Sequence, residues 1–155
     1  RCDEESIWVS TVGKVSKIHK ISSETYETIK VNEVNLGSVS NGPASTPGIT
    51  AIGNILYYSG AGTKIHSHNF DTGESKFLID AKSVVEDAGI VYNTIAVHPL
   101  TGRLYLNTIK AFGWDFLINH ISVFNFEGET PVLEQNYKDH THFPAGIFFP
   151  ASFLK

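Results

Sequence analysis

Two pairs of histidines have the spacing from which a metal or acid–base site can be built. His66 and His68 lie two apart in an alternating run, which places both on one face of a strand. His140 and His142 repeat that spacing in a polar link. A zinc centre needs three or four converging ligands steadied by a second layer of partners. Neither pair has a Cys or carboxylate at a matching spacing, so no metal ligand is assigned, and His66 and His68 are expected to face solvent. Asp139 sits beside His140, but neighbours along a chain rarely face one cleft. There is no Gly-x-Ser-x-Gly, no Cys with a matched His and no phosphate-binding glycine loop. The sequence therefore reads as a protein that is not an enzyme and carries no cofactor.

Binding chemistry is better represented. Phe112, Trp114 and Phe116 fall within one short stretch, and Tyr92 and Asn93 end another polar connection. Aromatic rings beside amides and hydroxyls suit a flat, partly apolar ligand such as a sugar, a corrinoid or a peptide. Trp114, Phe112, Tyr92, Asn93, His140 and His142 are the candidate ligand-binding residues. The competing reading folds Trp114 and Phe116 back onto their own sheet as packing.

These residues must be positioned by strands. Residues 65–79 (IHSHNFDTGESKFLI) alternate, turn at Asp71-Thr72-Gly73-Glu74 and resume, which is the pattern of a β-hairpin. Residues 18–31 and 121–137 repeat it. Ahead of each hairpin another strand begins, at Ile7, Ile55 and Leu104, with spacings of 48 and 49 residues. The third unit carries seven extra residues within 110–119. Four short strands per repeat of this length predict an all-β fold of propeller blades. A β-sandwich also has short alternating strands, but not a three-fold repeat.

The segments 48–51, 94–97 and 145–147 are small or β-branched, as the crowded centre of a propeller requires, and are assigned as innermost strands. On that assignment Ile49, Ile95 and Ile147 are equivalent. The chain divides into modules of approximately 1–52, 53–97 and 98–150, and its first blade lacks an inner strand. About three four-stranded modules of a larger ring, six- or seven-bladed, are expected. The remainder would come from missing N-terminal blades or a second chain. The wiring sends the long connections, 35–47, 80–93, 110–119 and 138–143, to one face and the short turns to the other. Long loops gathered on one face commonly carry function.

At 155 residues the chain is one domain's worth, and its net charge of −4 and pI near 5.9 argue against nucleic acid as a partner. No apolar run reaches the roughly 18 residues of a transmembrane helix. The sequence has no Met, so position 1 is expected to result from processing or truncation. Cys2, the single cysteine, is read as a solvent-facing thiol rather than a lipid anchor, since a lipid-anchored mature protein would begin at its Cys and here Arg1 precedes it.

Residues 95–105 (IAVHPLTGRLY) resemble the V-D-P-x-T-G-x-L-Y inner hairpin of YncE-like propellers, with His98 where that pattern has Asp. The ending FPAGIFFP, residues 143–150, is similar to the closing strand of Bacteroidetes surface propellers of the DUF5074 type. The resemblance implies a secreted or outer-membrane lipoprotein with a binding role. In its BtuG-like branch the ligand is cobalamin, and no motif here singles out that branch. The expected function is capture of a small ligand or nutrient at the cell surface. The alternative is a structural propeller that docks a surface protein.

Overall fold

Each of the three repeats folds as an antiparallel meander in the computed structural model, which describes residues 6–11, 16–34, 48–60, 62–142, 144 and 146–149. The first sheet orders β1 (Ser6–Thr11), β2 (Lys17–Ser22) and β3 (Thr28–Glu33). The second orders β4 (Ile49–Ile52), β5 (Ile55–Ser59), β6 (Lys64–Asn69) and β7 (Glu74–Asp80). The third orders β8 (Ile90–Val97), β9 (Leu104–Ile109), β10 (Asn119–Glu127) and β11 (Thr130–Lys138). The fold is all-β and built of blade-like sheets, as the repeat predicts, and among the described residues the helical pieces are short 3-10 turns at Ala81–Ser83 and Gly113–Leu117. The hairpin turn of the second sheet closes on Gly73 at φ +81°, a left-handed conformation that glycine enters without a Cβ penalty.

The sheets are joined through two apolar seams. Trp8 and Ile18 of the first sheet pack with Leu56, Tyr58 and Phe70 of the second, and the Trp8 and Phe70 rings meet edge-on at 4.9 Å. Ile65 of the second sheet packs with Val97, Leu104, Leu106 and Phe124 of the third. Full burial of each such side chain is worth about 1.5–3 kcal/mol, so both seams outweigh any single polar contact between sheets. Polar bonds then fix the registers. Lys30 Nζ donates to Phe70 O (2.8 Å), Lys20 Nζ to Asn54 Oδ1 (2.9 Å), and Val97 N to Thr50 Oγ1 (3.2 Å).

Several expectations change. Residues 146–149 form no strand, so Ile147 does not match Ile49 and Ile95, which lie in β4 and β8. A strand needs a hydrogen-bonding neighbour, and among the described residues this segment has none. Phe149 instead lies over the third sheet, 4.7 Å from the His98 ring and 5.4 Å from that of Tyr105. Residue 145 of the assigned inner strand, and the connection 35–47, fall outside the described residues. His66 and His68 are buried rather than solvent-facing. The first sheet covers their face of β6, and Asn32 of β3 reaches His68 directly. His98 does replace the aspartate of the resembled turn. Its Nδ1 accepts from Leu100 N (3.2 Å) and Thr101 N (3.3 Å), the bonds an Asp oxygen makes in such a turn.

Candidate functional site: the loop end of the third sheet

Three connections converge beyond the ends of β9 and β10. The link from β7 to β8 passes so close to Lys110 that a Cβ on Gly89 would lie 1.7 Å from the Lys110 carbonyl oxygen. Only glycine allows that approach, and it lets Gly89 N donate to Ile109 O at 3.0 Å. The link from β9 to β10, residues 110–118, carries the insertion expected from the sequence, but is five residues longer than the β5–β6 link, residues 60–63, rather than seven. It folds as the 3-10 turn Gly113–Leu117, with Phe112 extended at its start. The third segment, residues 139–142, leaves β11 and doubles back.

Asn119 ties the last two together from a buried position. Its Nδ2 donates to Leu117 O (3.0 Å) and Thr141 O (2.8 Å), while its Oδ1 accepts from Thr141 Oγ1 (3.1 Å). Asp139 completes the knot: its backbone N donates to Asn119 O at 2.8 Å, and its Oδ1 accepts from Asn119 N at 3.2 Å. Asp139 holds φ +56°, a left-handed setting that Asp tolerates better than most side chains. Asp87, in the first link, takes Lys138 at 2.9 Å and Lys110 at 3.8 Å. The Lys138 hydrogen bond is the main cause holding the Asp87 carboxyl below its ordinary range.

The candidate residues distribute over this end as follows. Tyr92 meets Phe112 edge-on at 6.2 Å. Trp114 is 88 % exposed and Phe112 67 % exposed, so the insertion does not bury its tryptophan against its own sheet. His140 and His142 are both exposed on the segment anchored by Asn119, and the His140 ring meets Tyr137 at 5.6 Å. Tyr92 and Asn93 were expected in a loop but lie in β8, which begins at Ile90 and pairs irregularly with β9 between Val91 and Ile95. The Asn93 side chain lies outside the described residues. Among the described residues no three His, Cys, Asp or Glu side chains gather as a metal site would require.

Some features left no mark in the sequence. The buried imidazole of His120 has Asn136 on Nδ1 at 2.9 Å, while its Nε2 has no partner among the described residues. Burial is the main cause holding it below the usual histidine range, with Lys138 adding to it. A cleft between the second and third sheets also opens at the opposite, short-turn end, with a volume of about 390 Å³.

Among the described residues no helix is long and apolar enough to cross a membrane. No curated protein matches the chain. The family model described as Domain of unknown function (DUF5074) matches residues 1–150, which is nearly the whole chain and includes every strand above. With blade-like sheets among the described residues and that match along its length, the chain belongs to the DUF5074 family.

Proposed function

We propose that this chain is a non-catalytic binding module, part of a propeller displayed outside the cell, that captures a small ligand or nutrient on its loop end. The observation that carries the reading is the exposure of Trp114 and Phe112 on a turn anchored from below by Asn119 and Gly89. Exposing such rings to water costs free energy that an apolar ligand face recovers on binding. Tyr92 supports Phe112 edge-on, and His140 and His142 supply polar groups on the neighbouring segment. A flat ligand with apolar and hydrogen-bonding edges, a corrinoid or a glycan, matches that chemistry. Export to the surface rests on the resemblance of residues 95–105 and 143–150 to surface propellers.

Docking of a surface protein is the competing reading, favoured by Leu117, which adds a third exposed apolar side chain to the same turn. Calorimetric titration with cyanocobalamin and with soluble oligosaccharides separates the two. Saturable binding that Trp114→Ala removes supports capture of a small ligand. Heat changes indistinguishable from dilution for every probe would leave the docking reading in its place.

A further inference from the structure

The cleft at the short-turn end has the chemistry of a second site. Its volume of about 390 Å³ lies in the roughly 300–1,000 Å³ range of small-ligand pockets. One wall is the face of the second sheet that looks toward the third. Tyr57 of β5 and Ser67 of β6 are direct partners across that sheet and share this face. Phe126 of β10 forms the facing wall, with its ring 5.3 Å from that of Tyr57 and tilted by 46°. Lys76 of β7 and Glu129 of the β10–β11 turn form an ion pair across the rim.

Three properties of this lining narrow the ligand. The side-chain hydroxyls of Tyr57 and Ser67 have no hydrogen-bond partner among the described residues, so their bonding capacity is free. Two aromatic rings offer apolar surface beside those hydroxyls. The rim charges cancel, so neither an anion nor a cation is favoured. A wholly apolar ligand would strip water from both hydroxyls and from the ion pair without replacing its hydrogen bonds, at a cost. A neutral polyhydroxylated ring satisfies all three properties, with its C–H face on the aromatics and its hydroxyls on Tyr57, Ser67 and the rim.

We propose that this cleft is a saccharide subsite for one or two neutral sugar rings, separate from the loop end. Burial raises the Tyr57 hydroxyl above its ordinary pKa, so the group stays neutral and can donate to a sugar oxygen.

Nuclear magnetic resonance on the whole chain tests this. The probes are glucose, galactose, mannose and N-acetylglucosamine, together with maltose, cellobiose and lactose. The Gly102 and Gly128 amides, which line the cleft, report on binding. Expected are saturable shifts at both amides with at least one probe. Tyr57→Phe keeps the ring and is expected to weaken that binding about tenfold, the loss of one hydrogen bond. Ser67→Leu fills the cleft and is expected to abolish it, while Trp114→Ala leaves it unchanged. The proposal is overturned if no probe shifts these amides saturably by about 50 mM, beyond the millimolar range of weak complexes. It is equally overturned if the shifts survive Ser67→Leu, or if they disappear with Trp114→Ala.

Discussion

The side-chain amide nitrogen of Asn32 lies 3.0 Å from Nε2 of His68, and this contact fixes where the imidazole proton sits. The same Asn32 nitrogen donates to Phe70 O at 3.0 Å, which identifies it as the NH2 end of the amide. His68 Nε2 must therefore accept. Its Nδ1 carries the proton and donates to Ser75 Oγ at 2.9 Å. Protonating Nε2 would set two donors against each other at a buried imidazole that already feels the charge of the nearby Lys30. Burial chiefly, and then Lys30, holds the His68 pKa below 6.5.

The sign of the pH dependence follows. The unfolded chain binds a proton at His68 more readily than the folded chain, so stability rises with pH across the window between their two pKa values. The contribution is complete above about 6.5 and falls as pH drops from there toward the folded value. His66, lowered by burial and then by Lys64, and His120 add to the same slope. A melting temperature lower at pH 5 than at pH 8 is expected, with His68→Gln showing a shallower slope. Equal slopes in the two proteins would contradict this role for His68.

Gly89→Ala should be among the most damaging single-methyl changes in the chain. The new Cβ would meet backbone rather than a flexible side chain, so one of two anchored links has to move. Overpacking of this kind costs about 1–3 kcal/mol or more. Denaturant titration is expected to show that loss, with the midpoint lowered and the slope unchanged. A midpoint within error of the parent would mean that the two links are not rigidly apposed.

The turn after β8 depends on His98 as an acceptor. His98→Ala removes two hydrogen bonds to the turn backbone and the ring contact with Phe149, and about 1 kcal/mol or more of stability is expected to go with them. His98→Asp restores an acceptor at the same distance from the backbone, though not the ring, and should recover part of the loss. If Asp is no better than Ala, capping is not what His98 contributes.

The strands were legible because their evidence is local. Alternation marks each hairpin, glycine turns at Gly73 and Gly128 close the second and third and Gly53 turns β4 into β5, and the repeat then sorts strands into sheets. Burial of an outer strand was not legible in the same way. Period-two alternation shows that His66 and His68 share a face, but only the first sheet, with Asn32 on β3, decides that the face is covered. The segment at Ile147 failed for a related reason: its composition suits an inner strand, but a strand exists only with a partner. At the loop end the aromatic content of 110–119 was visible, whereas the Asn119 knot joins residues 22 apart and has no sequence signature. The cleft lined by Tyr57, Ser67 and Phe126 is assembled from two repeats, so no single stretch announces it.

The central claim is that exposed aromatic side chains at the loop end capture a ligand, and Trp114→Ala tests it most directly. Affinity for whichever probe saturates the parent protein, and melting temperature, are to be measured on the same samples. Trp114 is 88 % exposed, so its removal should leave the melting temperature within about 1 °C, the scale of a surface change of a few tenths of a kcal/mol. An aromatic anchor at a binding surface is worth about 2 kcal/mol or more, so affinity should fall roughly thirtyfold. A lowered melting temperature with unchanged affinity would contradict the account and make Trp114 a packing residue.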